Sequence, residues 1–351
     1  MYTRRQATIH VMALSALLAG GRTIARAEPR TLHFATLDPP GAGHASGVDE
    51  PFRQAVESRS GGRLTVDIRL FEPGANPAKF LPQVEHGDIE LSQTVQGYSP
   101  GRFPRTSVIE LPMLFDSATV GSKAVATLFQ EGLLGPEYDS VKMLALNTMP
   151  PATIFTTGRK IASAKDFRGL RIRISNATAG RAMALLGAIP IGVPFSDIGD
   201  ALTKGTIDAV MYYMDAALVT PVAGGKKLDE LLSVAADVHF GATALMLVMN
   251  RATYDALPED LRAVVDAAGQ EFGTSDGHVR DAIEGVARAK FRANPRYTFI
   301  EFTPEQTADL RRAIQPAYDD WKATMSKSGI DGGRLLARAS ELIQQSSVAA
   351  K

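Results

Sequence analysis

Arg173 stands in a setting where an arginine can hold a ligand. It lies in Arg171-Ile172-Arg173-Ile174-Ser175, inside the run FRGLRIRISNATAGRAMALLGAIPIGVPFSDIGDALTKGTIDAVMYY from Phe167 to Tyr213. Alternation along a strand sends Leu170, Ile172 and Ile174 toward a core and Arg171, Arg173 and Ser175 to the opposite face. A guanidinium presents a planar fork of donors that matches a carboxylate through two parallel charge-assisted hydrogen bonds, which a lysine cannot reproduce. The same pattern also fits a strand arginine paired with a neighbouring acid, and Arg171 is read that way. Arg173 is read as facing a cleft.

Other polar residues are candidates to share that cleft. Gln93, Gln96 and Tyr98 follow the strand expected at Glu90, and His44 sits in the loop GAGHASG. Strings that resemble enzyme motifs fail on context. GTSDG at residues 273–277 matches G-x-S-x-G but falls inside a helical pattern, away from the strand-to-helix elbow that exposes a nucleophilic serine. GAGHASG has Ser46 where the third glycine of a dinucleotide fingerprint belongs, and AGGKK lacks the rest of a phosphate loop. The six histidines show no metal-ligand spacing. The expectation is a protein that is not an enzyme, with no cofactor and no obligatory metal.

The elements that must position these residues follow from periodicity. Thr31 to Leu37 and Leu64 to Leu70 read as strands flanking a helix from Asp49 to Ser58, a βαβ opening that implies a parallel sheet. QVEHGDIEL (83–91) and ALTKGTIDA (201–209), 118 residues apart, each end a helix at a glycine and are expected to begin a strand two residues later. One such motif in each half suggests an α/β fold of two similar lobes with the ligand cleft between them, at the carboxyl ends of the strands. The expected division is 28–150 for lobe I, with about 244–278 returning to it, and 151–243 for lobe II, with about 279–351 packing as helices across both. Ala244 to Asn250 (ALMLVMN) reads as the returning strand. Residues 258–294 carry apolar positions at helical spacing and read as one long or broken helix, and Thr303 reads as the cap of another through Trp321.

Composition agrees with this and sets an address. A chain of 351 residues exceeds one ordinary core. With 45% hydrophobic and 22% charged residues, and no apolar run long enough to span a bilayer, the body is expected to be soluble and not membrane-embedded. Residues 1–27 differ. Arg4 and Arg5 precede an apolar run, and Ala25-Arg26-Ala27 forms a small-x-small cleavage site, so this segment reads as a cleaved export signal, by the twin-arginine or the ordinary secretory route. Its removal takes four of the 38 basic residues (Arg4, Arg5, Arg22, Arg26) and none of the 38 acidic ones, leaving a formal charge of about −4. Nothing in that balance attracts nucleic acid. Without cysteine there is neither a disulfide nor a lipid-attachment thiol, which fits a protein diffusing in the periplasm.

The stretch around Arg173 resembles domain II of the solute-binding proteins of tripartite ATP-independent periplasmic (TRAP) transporters, where a GLKIRVP-like strand carries the arginine that holds the substrate carboxylate. The resemblance continues through Gly187, Pro190, the PFSD of 194–197, Ala201-Leu202 and the GTID of 205–208. Toward the N-terminus it takes in SGGRL (60–64), the Gly74 region, VEHGDIEL (84–91), GYSPGRFP (97–104) and ELPMLF (110–115). It implies a periplasmic-binding-protein fold with a long helix spanning both lobes, capture of a small organic carboxylate by lobe closure, and delivery to TRAP membrane permease subunits. It also implies that Arg173 is the anchor and that Phe195 is a wall of the pocket. Some members carry an asparagine in a Gln-Glu-Asn-Pro run where this chain has VMYYMD. Tyr212 therefore makes the pocket more aromatic, and Tyr213 or Asp215 takes over hydrogen bonding. Thr153 replaces a second arginine of the sialic-acid-binding branch, so one carboxylate anchor is expected, and the pocket suits a monocarboxylate with an apolar or aromatic body. Two other readings use the same cleft: a ligand-loaded sensor docking on a membrane receptor, and an enzyme acting on a small acid.

Overall fold

The computed structural model describes residues 29–71 and 76–349; the expected export signal and the Gly74 region lie outside the described residues. Two sheets form. The first contains β1 (Arg30–Ala35), β2 (Leu64–Arg69), β3 (Leu91–Val95), β4 (Val141–Thr148) and β12 (Ala244–Asn250), in the order β2-β1-β3-β12-β4. The second contains β5 (Thr153–Thr156), β6 (Arg171–Ile174), β7 (Ile189–Gly192), β8 (Ala209–Tyr212), β11 (Val234–Asp237) and β13 (Thr298–Glu301), in the order β13-β11-β5-β8-β6-β7. A short ribbon pairs β9 (Pro221–Val222) with β10 (Lys226–Lys227).

The opening βαβ unit gives parallel pairing of β1 with β2 and β3, as its crossover requires. The sheet as a whole is mixed, because β12 enters antiparallel between β3 and β4. It is buried on both faces: Met246 and Val248 join one apolar cluster, Leu247 and Met249 the other. A third cluster packs around the second sheet. The fold is thus α/β and two-lobed, each sheet carrying its own core.

Helices fill the faces: α1 (Glu50–Arg59), α2 (Phe80–His86), α3 (Ala118–Gln130), α4 (Ala177–Leu185), α5 (Ile198–Thr203), α6 (Met214–Val219), α7 (Arg251–Asp255), α8 (Glu259–Ala293), α9 (Pro304–Lys327) and α10 (Gly332–Ala349). Among the described residues no helix is long and apolar enough to cross a membrane. Gly87 and Gly205 stop α2 and α5 in left-handed conformations at φ 85° and 66°. The following strands begin at Leu91 and Ala209, two residues later than the motif suggests, because the Ile-acid pairs still belong to the turn.

Helix α8 is continuous over 35 residues, about 52 Å at 1.5 Å per residue. Its Leu261, Val265, Ala268 and Phe272 pack in a core of the first sheet, whereas Ala287 and Phe291 pack in that of the second. GTSDG lies within it. A Cβ at Gly277 would come within 2.8 Å of Thr119 Cα and one at Gly273 within 3.2 Å of Ala145 Cβ, so these glycines seat the helix against the first lobe. Thr303 caps α9, accepting from Gln306 N at 3.2 Å while the Gln306 side chain accepts from Thr303 N.

Candidate functional site

Strand β6 carries Arg173 between two parallel neighbours, opposite Ile191 on β7 and Val210 on β8. The residue is only 2% exposed. Its Nε donates to Val193 O at 2.8 Å and its Nη1 to Met211 O at 3.3 Å, which fixes the fork without neutralising it. A buried guanidinium lacking a carboxylate partner is costly unless something anionic can reach it. Arg171 behaves differently: it bonds Asp208 through Nε at 2.8 Å and Nη2 at 2.5 Å, and is half exposed.

Around Arg173 lies a cavity of about 90 Å³, room for several water-sized groups and so for a small molecule, not a polymer. Tyr212 sits at the end of β8 with its ring 5.7 Å from the Arg173 guanidinium carbon and its hydroxyl 3.0 Å from Thr220 Oγ1. Tyr213 donates to Thr243 Oγ1 at 2.7 Å, and Thr243 also meets Ser175 Oγ at 3.0 Å. Burial pushes both phenols well above the ordinary tyrosine range. Tyr98 reaches over from the end of β3. Burial raises its phenol too, although the nearby Arg173 charge works against that shift. Phe195 closes another side, its ring 4.4 Å from that of Phe71 beyond β2, an aromatic contact between the two lobes.

The structure thus brings Arg173, Phe195, Tyr212, Tyr213, Asp215 and Tyr98 around one cavity. Gln93 and Gln96 do not line it, contrary to expectation. Gln93 is buried and turns to α8, donating to Asp276 Oδ1 at 3.3 Å. Gln96 faces a separate groove of about 540 Å³ beside Trp321. Gln93 shares the face of Val95 but stands one residue pair earlier on β3, under α8, and Gln96 lies past the end of the strand, in the turn that follows it. His44 is not a lining residue either.

Two charged lining residues escaped the sequence reading, Arg280 of α8 and Asp38 just after β1. Arg280 Nε bonds both oxygens of Asp276 at 3.1 and 3.0 Å, and Nη1 lies 3.1 Å from Met149 Sδ. His44, 1% exposed, is bonded through Nδ1 to Asp38 and through Nε2 to Asp276, each at 2.6 Å. Burial and the Arg280 charge oppose a proton on this imidazole, but the two carboxylates outweigh them and raise its pKa to about 10. Despite burial, His44 and Arg280 hold Asp38 and Asp276 below the usual carboxylate range. Asp49 goes the other way, pushed by burial to about 8. Asp38, His44 and Asp49 are the one grouping of metal-ligand type among the described residues. Both nitrogens of His44 are already committed, so the cluster is an ion-pair network. The i, i+4 spacing of Asp276 and Arg280 was its visible signal in the sequence.

A family model of bacterial extracellular solute-binding proteins, family 7, matches residues 34–324. Among solved structures, a TRAP solute-binding protein from Rhodoferax ferrireducens T118 with copurified benzoate is 29% identical at a TM-score of 0.83, covering 92% of this chain and 99% of that one. A marine metagenome TRAP solute-binding protein specific for aromatic acid ligands, with metahydroxyphenylacetate, is 27% identical at a TM-score of 0.81, covering 90% and 99%. The C4-dicarboxylate-binding periplasmic protein of Rhodobacter capsulatus is 23% identical over 91% of this chain and 94% of its own. With the family match running from the first strand into α9, the chain belongs to the bacterial extracellular solute-binding proteins of family 7, the solute receptors of TRAP transporters.

Proposed function

We propose that the protein is exported to the periplasm, captures a small aromatic or apolar monocarboxylate on Arg173, and passes it to a TRAP membrane permease without chemically changing it. The observation that carries this reading is the buried Arg173 fork, held by backbone carbonyls without a carboxylate partner among the described residues and opening on a cavity walled by Tyr98, Tyr212 and Phe195. The aromatic acids held by the relatives from Rhodoferax ferrireducens and the marine metagenome support the same ligand class.

Binding works through lobe closure. A ligand favours the closed arrangement only by contacts that are absent when the lobes stand apart. Its carboxylate meets Arg173 in the second lobe while its body meets Tyr98 and Leu37 from the first, so one molecule bridges 28–150 to 151–243. Closure also removes water, which strengthens the arginine-carboxylate pair. The two sheets can move as units about the connections before Thr153 and Ala244, with α8 spanning them.

Thermal unfolding against a panel of organic acids tests the proposal. Ligand at about 100 times its Kd stabilises by about 2.7 kcal/mol, a shift of a few degrees for a chain of this size. An acid that shifts the parent protein and not Arg173→Ala supports both the ligand class and its anchor. Equal shifts in both proteins would remove Arg173 from the site, and a panel without any hit would remove the ligand class.

A further inference from the structure

Besides Arg173, the cavity carries a second set of charged side chains. Arg280, Asp38 and Asp215 line it. The Arg280 Nη2 group makes no hydrogen bond among the described residues, its Nε and Nη1 being taken by Asp276 and Met149. The Asp215 carboxylate shares a side-chain hydrogen bond with Glu284, while its buried Oδ1 has no hydrogen-bond partner among the described residues. Beside it stands Glu284, whose oxygens accept the backbone N–H groups of Met214 and Asp215 at 3.0 Å each. Burial and the Asp215 charge push the Glu284 carboxyl well above the ordinary carboxylate range.

Charge counting narrows what this set can hold. Asp38 and Asp276 are balanced by His44 and Arg280, so that group is neutral in sum. Asp215 is left facing the cavity with Arg280 near enough to feel its charge. A second carboxylate there could accept from Arg280 but would meet Asp215 as a like charge with nothing to donate. An ammonium could donate to Asp215 but would meet Arg280 as a like charge with nothing to accept. A hydroxyl does both.

We infer that this set of side chains reads a neutral hydroxyl on the ligand, which donates to Asp215 and accepts from Arg280, so that hydroxylated monocarboxylates are preferred and dicarboxylates are turned away. The inference rests on the reading of Arg173 as carboxylate anchor. A site built to bond a hydroxyl rejects the analogue that lacks it, because its own buried polar groups are then left unpaired. A site that also opposes a second charge excludes by repulsion as well.

Titration calorimetry of the purified protein tests it with benzoate, phenylacetate, 3-hydroxybenzoate, mandelate, 3-(aminomethyl)benzoate and isophthalate. At least one hydroxylated acid should bind tenfold or more tightly than its unsubstituted parent, while isophthalate and 3-(aminomethyl)benzoate bind more weakly than benzoate. Asp215→Asn should cut the hydroxyl advantage below threefold, with Asp215→Ser as a second variant should the amide disturb the fold. Parents that bind through Arg173 with no hydroxyl advantage would overturn this inference and leave the receptor reading standing. So would isophthalate as the tightest ligand, or an advantage that survives both Asp215 variants. If none of the acids binds, the receptor reading falls and this inference falls with it.

Discussion

His44 Nε2 and Asp276 Oδ1 lie 2.6 Å apart although 232 residues separate them in the chain. The same ring reaches Asp38 with its other nitrogen, so one buried imidazole fastens the loop after β1 to the middle of α8, beside the cavity. Breaking a buried ionic cluster by removing one member costs far more than the cluster contributes, since the remaining charges stay desolvated and unpaired.

His44→Ala should therefore destabilise the protein by about 3–5 kcal/mol. His44→Gln, which keeps two hydrogen-bonding groups, should cost less. Urea unfolding of the three proteins checks this, and a loss under about 1 kcal/mol in the alanine variant would contradict the network.

Stability should fall as the solution is made alkaline. His44 holds its proton up to about 10 in the folded protein, against 6.5 for an unperturbed imidazole. Asp49 holds its own to about 8, against 3.8. Between each pair of values the folded chain binds more protons than the unfolded one, so unfolding free energy declines with rising pH. The His44 contribution is complete below 6.5 and gone above 10, and that of Asp49 is complete below 3.8 and gone above 8. His44→Gln should flatten the limb from 6.5 to 10, measured as midpoints of denaturant unfolding across that range.

Gly97 sits where the lobes meet: a Cβ there would lie 2.6 Å from the Ser175 carbonyl oxygen and 3.2 Å from Asn176 Cβ. Backbone cannot yield as a flexible side chain can. Gly97→Ala should hold the lobes apart, weakening ligand affinity tenfold or more while leaving thermal stability without ligand nearly unchanged. Calorimetry paired with unligated melting curves separates the two effects.

Tyr212→Phe removes a buried hydroxyl that is spent on Thr220, not on the cavity. A loss of about 1 kcal/mol in stability is expected, with ligand affinity altered less than threefold. A large affinity loss would mean that the phenol itself touches the ligand.

Local patterns carried much of this fold. The alternation around Arg173, the glycine stops at Gly87 and Gly205, the apolar run of β12 and the Thr303 cap each depend on residues a few positions apart, and each is visible in the chain. What was hidden depends on pairing at a distance. Arg280 looked like an ordinary helix arginine until Asp38 and His44 arrived beside it from the other end of the sequence. Gln93 was assigned to the cleft because it follows β3's start, whereas α8, arriving from far along the chain, covers it with Asp276. The mixed pairing of the first sheet was also out of reach, since β12 joins it from more than a hundred residues after β3.

Helix α8 has Phe272 in one core and Phe291 in the other, on a single uninterrupted run of backbone. Losing the helix as a whole strips packing from both halves at once, so the two halves share one element on which each core depends. Heat should therefore dissolve the molecule in one transition. Trp321, the sole tryptophan and packed on the first-lobe side, should lose its native fluorescence along the same curve as the helical circular dichroism of the whole chain.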